Sequence, residues 1–153
     1  MERIAVYAGS FCPFTKGHED IVAKALPLFD KIIIGIGYNR DKKDLFDELK
    51  RQTWVKNIYK GNPKIEVISY SGLTIELCRH KNVKYLIRGV RNAKDFAAEQ
   101  ELAEINKRLA PEIETVLFFA SPELRMVSSS LVRELWYYGE DYTPFVSYEL
   151  PEN

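Results

Sequence analysis

What this sequence lacks narrows it before its contents are read. It has two cysteines, Cys12 and Cys78, with no C-x-x-C spacing and no histidine-rich neighbourhood, which argues against a disulfide framework and against a zinc site. It has no basic excess: 22 Lys and Arg balance 22 Asp and Glu. Broad nucleic-acid binding is therefore not indicated, although a local basic pocket for a small phosphorylated ligand fits that balance. No apolar run approaches the roughly 18 residues of a membrane span, and no basic-then-apolar leader opens the chain. The expectation is a reduced, cytoplasmic protein with no membrane or nucleic-acid partner. Two phosphate-binding signatures are also missing: no G-x-G-x-x-G follows the first apolar run, and no G-x-x-x-x-G-K-[ST] occurs anywhere. There is no internal repeat or low-complexity segment, and residues 1–153 suit a single domain. A chain of this size buries about 68–70% of its unfolded surface and needs no staples to fold.

What is present alternates. Arg3–Ala8 (RIAVYA) predicts a first strand. Gly17–Phe29 predicts a helix, with Ile21, Val22, Ala25, Leu28 and Phe29 on one stripe and Pro27 placed to end it early. Lys31–Tyr38 (KIIIGIGY) predicts a second strand, apolar through its middle as a strand covered on both faces should be. A charged loop, Asn39–Phe46, leads to a helix over Asp47–Tyr59, and Gly61-Asn62-Pro63 then breaks the chain. Further strands are expected at Ile65–Tyr70, Val83–Ile87 and Glu114–Ala120, and helices at Thr74–His80, Asp95–Leu109 and Ser129–Tyr138. Strand–helix alternation of this kind predicts an α/β fold, a Rossmann-like, doubly wound five-stranded parallel sheet with helices on both faces. Ligands of such sheets bind beyond the carboxyl ends of the strands, near the switch in strand order. The residues that follow each strand are thus the candidates.

After the first strand comes Gly9-Ser10-Phe11-Cys12-Pro13-Phe14-Thr15-Lys16-Gly17-His18. Gly9 permits a tight turn, Gly17 lies at a helix entrance whose amides favour phosphate, and His18 falls in the first helical turn. A lone histidine there reads as a surface cap residue; one sharing a strand end with Gly, Ser and Thr reads equally as a ligand group. The loop after the second strand (NRDKK) offers Lys42 and Lys43, which are either solvated charges or phosphate contacts. The fourth strand ends in Arg88-Gly89-Val90-Arg91, where two guanidinium groups suit a phosphate clamp. After the fifth strand, Ser128-Ser129-Ser130 opens a helix; one hydroxyl suffices for a cap, and the others are further donors at a helix N-terminus.

On these residues the chain resembles a known family. GSFCPFTKGH matches the G-[ST]-F-x-P-x-T-x-G-H signature of the adenylyltransferase branch of the nucleotidyltransferases. LIRGVRNAKDF (Leu86–Phe96), NKRLAPEIETVLFFASPE (Asn106–Glu123) and VSSSLVREL (Val127–Leu135) look like bacterial phosphopantetheine adenylyltransferase, and the likeness runs from Ile4 to about Phe145. It implies a reaction in which ATP and 4'-phosphopantetheine give dephospho-coenzyme A and pyrophosphate, with Mg²⁺ accompanying ATP, no resident metal ligands and a homohexameric (dimer of trimers) assembly.

The likeness also implies roles. His18, Lys42, Ser10 and Arg91 make up the catalytic set, His18 at the α-phosphate and Lys42 and Ser10 orienting the attacking phosphate. ATP is implied to meet Gly9, Ser10, Phe11, Gly17, His18, Gly89, Val90, Arg91, Glu99 and the loop of Leu124, Arg125, Met126, Val127, Ser128, Ser129 and Ser130. Phosphopantetheine, and dephospho-coenzyme A or coenzyme A in its place, is implied to meet Ser10, Lys42, Leu73, Thr74, Arg88, Asn106 and Glu134. No general base is needed, because a phosphate monoester with a second pKa of about 6 is already largely dianionic at neutral pH. Positioning and charge neutralisation are then the whole task.

Several positions depart from the family pattern. Cys12 stands where an aspartate is usual, Ala8 where a proline is, Ala97 and Ala98 within the usual D-F-E-Y-E, and Leu124 where an aromatic is common. The helix after Lys43 (DLFDELKRQTWVKNIY) lacks the familiar L-E-E/Q-R. The aromatic tail after Leu135 suits packing on the core, a subunit contact, or both. Two other readings remain beside the first: adenylyl transfer to another phosphorylated acceptor such as nicotinamide mononucleotide, and a non-catalytic scaffold keeping the fold. Arg88–Arg91 with Val127–Leu135 weigh against the former, and retention of His18, Lys42, Arg88 and Arg91 against the latter.

Overall fold

A computed structural model describes residues 1–153. Strands β1 (Ile4–Gly9), β2 (Lys31–Gly37), β3 (Ile65–Tyr70), β4 (Tyr85–Val90) and β5 (Glu114–Phe119) form one sheet in the order β3-β2-β1-β4-β5. Every neighbouring pair is parallel. The chain winds outward from β1 to β3, then crosses back to lay β4 on the other side of β1. The switch in strand order therefore lies between β1 and β4. The Rossmann-like expectation holds.

Side-chain alternation explains the layers. Ala5 and Tyr7 of β1, with Ile32, Ile34 and Ile36 of β2, face a cluster that includes Ile21, Val22 and Ala25 of α1 (Lys16–Ala25) and Val55 of α2 (Glu48–Ile58). Val6, Ala8 and Ile33 point the opposite way, into a cluster with Ile75, Leu77 and Cys78 of α3 (Thr74–His80). Consecutive isoleucines are buried on both sides, which is why β2 reads as continuously apolar. The chain is completed by α4 (Ala93–Leu109) and α5 (Ser129–Tyr137). No helix is long and apolar enough to cross a membrane.

Several boundaries differ from the sequence reading, mostly by one residue, and three shifts are larger. α1 ends at Ala25 and Leu26–Leu28 continues as a 3₁₀ turn around Pro27, the early ending that proline predicts. α4 starts two residues early, because the Asn92 side chain caps the Asp95 amide at 2.9 Å. β4 runs to Val90 rather than Ile87. Arg88 and Gly89 are consequently ladder residues opposite Leu117 and Phe118, and Gly89 is held within the sheet. Its value is space: a Cβ there would sit 2.8 Å from Ile21 Cγ1.

A third cluster lies at one end of the sheet. Cys12, 5% exposed, packs with Phe46, Val132, Val146 and Leu150, ringed by Trp54, Trp136 and Tyr148. Trp54 and Tyr148 stack with centroids 5.0 Å apart. The aromatic tail therefore folds back on its own chain. Cys12 is a core residue of this cluster, which accounts for an apolar thiol where an acid would be stranded.

Gly89→Ala should destabilise the fold by about 1–3 kcal/mol through overpacking against α1. Urea unfolding would show a lower midpoint with an unchanged m-value; an unaltered midpoint would mean that α1 and β4 are not pressed together.

Candidate active site

The carboxyl ends of β1, β4 and β5 and the starts of α1 and α5 enclose a cavity of about 240 Å³ at the switch point. Its residues of interest come from four segments: Gly9–Phe11, Gly17 and His18, Arg88–Arg91, and Leu124 with Val127–Ser129.

The start of α1 is organised by Thr15. Its backbone N–H donates to His18 Nδ1 at 2.8 Å, and the His18 amide lies 3.4 Å from Thr15 Oγ1. This is a capping box with histidine in the place usually held by Glu or Gln. Because Nδ1 accepts, a neutral ring carries its proton on Nε2. The ring is half-buried and packs on Phe11 and Phe14 at centroid distances of 4.9 and 5.2 Å. Burial, with help from the charges of Arg88 and Arg91, lowers its pKa to about 3. The imidazole is thus a neutral donor at the floor of a cationic cleft. Gly17 lines the same cavity, so the unpaired amides of the helix start and its positive dipole end face the same space.

Arg88 reaches under β1. Its Nη1 donates to the Ala8 carbonyl at 2.8 Å, while Nε and Nη2 fork onto Glu99 at 2.8 and 2.7 Å. Burial opposes its charge, but Glu99 outweighs burial and holds the guanidinium firmly protonated. Arg91 pairs with Asp95 at 3.1 Å, and Arg125 Nε donates to the Arg91 carbonyl. The loop after β5 is tethered by Asp20, whose carboxylate accepts from the Ser121 amide and hydroxyl at 2.9 and 3.0 Å. Burial pushes the Asp20 carboxyl up, yet Ser121 and Lys24 outweigh this and hold it below its usual range.

Of the sequence-predicted residues, Gly9, Ser10, Phe11, Gly17, His18, Arg88, Gly89, Val90, Arg91, Leu124, Val127, Ser128 and Ser129 share this cavity. Lys42 does not; it lines a neighbouring cavity of about 330 Å³ with Arg40, Lys43 and Arg51. Glu99 lies behind Arg88. Leu73 and Thr74 stand at the start of α3, where Thr74 shares a hydrogen bond with the Tyr70 hydroxyl. Asn106 on α4, Glu134 on α5 and the exposed Arg125, Met126 and Ser130 lie outside the cavity. Of the three serine hydroxyls, Ser129 donates to the Pro13 carbonyl at 2.7 Å, while Ser128 accepts from the Leu131 amide and Ser130 from Arg133, which leaves their O–H groups free to donate. What this helix start offers a ligand in the cavity is its amides and the Ser128 O–H.

Sequence reasoning missed Thr15, Ile21, Ala120, Tyr7 and Ala8 on the cavity wall, and Arg51 beside it. The capping-box spacing Thr15-x-x-His18 was the available signal for the first. Arg51 had none, since a charged residue in a charged helix reads as solvated.

The comparisons agree with this geometry. The cytidylyltransferase-like family profile matches residues 6–135. A protein of Bacteroides thetaiotaomicron described as phosphopantetheine adenylyltransferase is 46% identical over 94% of this chain and 95% of its own length. One of Cytophaga hutchinsonii with the same description is 41% identical over 98% of this chain and all of its own length. This chain belongs to the phosphopantetheine adenylyltransferase family. The fold extends beyond that family: a bifunctional NMN adenylyltransferase/ADP ribose pyrophosphatase from Francisella tularensis superposes with a TM-score of 0.74 at 16% identity, over 95% of this chain and 45% of that one. A further structure of that enzyme, complexed with AMP and a manganese ion, gives 0.69 at 17% identity over 99% of this chain and 46% of that one. As a phosphopantetheine adenylyltransferase family member, the chain is a nucleotidyltransferase.

The depressed His18 pKa has a consequence for stability. Between pH 6.5, its ordinary value, and about 3, the unfolded chain takes up a proton that the folded chain refuses. Folding stability is therefore full above this window and falls as pH drops into it. His18→Asn should flatten the loss between pH 7 and 5 in urea titrations; identical slopes for the two proteins would show that the ring titrates normally.

Proposed function

We propose that this protein transfers the adenylyl group of ATP to 4'-phosphopantetheine, releasing pyrophosphate and forming dephospho-coenzyme A. The observation that carries this is the near full-length identity of 40–46% to proteins described as phosphopantetheine adenylyltransferase. The cleft chemistry agrees: cations, helix-start amides and a neutral histidine donor converge where a phosphate would react.

In this reading a terminal oxygen of the acceptor's phosphate attacks the α-phosphorus of ATP. The bond from that phosphorus to the bridging oxygen breaks, and pyrophosphate leaves with the electron pair. The nucleophile is already anionic, so no proton need be removed. His18 would donate from Nε2 to the α-phosphate oxygens, where negative charge is redistributed. Its neutrality matters, because a ring held by Thr15 is preorganised and need not be desolvated during reaction. Arg91 and the amides at the start of α5 would take the β- and γ-phosphates, with Gly89 and Val90 along the nucleotide. Ser10 and Lys42 would approach the acceptor's phosphate, with Arg88 beside it. Leu73, Thr74, Asn106 and Glu134 would line the path of the pantetheine arm.

No group of three or more His, Cys, Asp or Glu side chains is arranged to hold a cation. Mg²⁺ would accordingly enter with ATP as part of the substrate, held by the triphosphate oxygens.

The homohexamer expectation finds support in α4. None of its 17 residues is buried, and Phe96, Leu102, Ile105 and Leu109 are 40–57% exposed. Phe119, at the end of edge strand β5, is 73% exposed. An apolar helix left uncovered in this way suits contact with further copies of the chain.

Two measurements test these readings. Incubation with ATP, Mg²⁺ and 4'-phosphopantetheine should yield dephospho-coenzyme A and pyrophosphate in equal amounts, and His18→Ala should lower kcat about 10²–10³-fold, the scale for one preorganised donor. No product from the wild-type protein would sink the substrate assignment, and an unchanged rate in the variant would remove His18 from its role. In sedimentation experiments the wild-type protein should assemble and Ile105→Asp should shift it towards monomer; a monomeric wild-type protein would reject the hexamer.

A further inference from the structure

Arg51 is the one charged side chain sealed in this core, 1% exposed. Burying a guanidinium is costly unless its donors are paired. Here they are paired across segments distant in sequence. Nε donates to the Phe46 carbonyl at 2.9 Å, Nη1 to the carbonyls of Ser10 and Gly37, and Nη2 to the Asp44 carboxylate at 2.8 Å. Ser10 lies just beyond β1, Gly37 ends β2, and Asp44 and Phe46 close the loop that carries Lys42.

That loop has little else to hold it between its ends. Asn39 shapes its entry, accepting from the Asp41 amide at 2.9 Å through its side chain and from the Lys42 amide at 3.2 Å through its carbonyl. Its exit is pinned at Phe46, whose ring sits between Trp54 and Trp136 at 5.4 and 5.0 Å. Between these points Lys42 and Lys43 are exposed. Arg51 therefore ties the floor of the cavity holding Ser10 to the wall of the cavity holding Lys42.

We infer that Arg51 is a positioning residue that sets the distance between Ser10 and the Lys42 loop, and so governs recognition of the phosphorylated acceptor rather than of the nucleotide. This rests on the adenylyltransferase reading above. The side chain touches no reacting atom in that scheme; it acts through the two segments it joins. Lysine cannot replace it, because a single ammonium nitrogen cannot span three carbonyls and a carboxylate in a fixed fork.

Arg51→Lys should raise the KM for 4'-phosphopantetheine about ten- to a hundredfold while leaving the KM for ATP within about twofold, since misplacement of this order acts on one substrate. Asp44→Ala, which keeps all three carbonyls on the guanidinium, should give the same split at smaller size. It serves as the second variant if Arg51→Lys does not fold, as judged by circular dichroism and thermal melting. Equal changes in both KM values, or no change in either, from a folded variant would make Arg51 a mere anchor of α2 and overturn the inference. Amide hydrogen exchange supplies a readout independent of turnover. Segment 39–46 should exchange faster in either variant with β1, β4 and α1 unaffected, and unchanged exchange there would also overturn it. A wild-type protein inactive on 4'-phosphopantetheine would defeat the functional reading, while the exchange result would still decide the tie between Arg51 and the loop.

Discussion

The structure depends on how the backbone of one short loop is satisfied. Residues following β1 leave the sheet before α1 begins, so their carbonyls have no ladder or helix partners. Several find side-chain donors instead. Beyond the strand, Ser10 accepts from Arg51, Cys12 from Arg133, Pro13 from Ser129 and Phe14 from Tyr148, and near the strand's end Ala8 accepts from Arg88. Buried carbonyls must be paired, and here the donors come from β4, α2, α5 and the tail. The loop at the centre of the cleft is thus held by donors from four other parts of the chain. Loss of any one donor strands a carbonyl next to the site.

The same economy appears at the start of α1. The Thr15–His18 exchange starts a helix and also selects the histidine tautomer, because the nitrogen that accepts the Thr15 amide cannot carry the proton. A capping residue and a candidate catalytic donor are one side chain. The cations follow a similar rule. Arg88 and Arg91 are each tied to a carboxylate, Glu99 and Asp95, so their charge is oriented before any phosphate arrives. Preorganisation of this kind is what a reaction needs when its nucleophile requires no activation.

Departures from the family pattern sort by location. Cys12 and Ala8 are buried and answer to packing. Ala97 and Ala98 are exposed on α4, the helix whose apolar residues are left uncovered. Leu124 lines the cleft on the loop after β5, and Ala8 lines it from β1. The divergent helix after Lys43 carries Arg51, which joins the loop after β1 to the loop that carries Lys42.

The order of strands and helices, their parallel pairing and the placement of ligand chemistry after β1, β4 and β5 were determined by the sequence, because alternation and hydrophobic period are local properties of a chain. So were His18, the arginine pair and the serine-capped helix, whose motifs are contiguous. Tertiary structure decided the rest. Gly89 reads only as part of an arginine-rich strand end until α1 is seen pressed against it, Ser129 reads as a free hydroxyl until the Pro13 carbonyl appears beside it, and Arg51 reads as a surface charge until four acceptors close over it. Each of these depends on which distant atoms fill the space around a side chain, and no pattern along one segment records that.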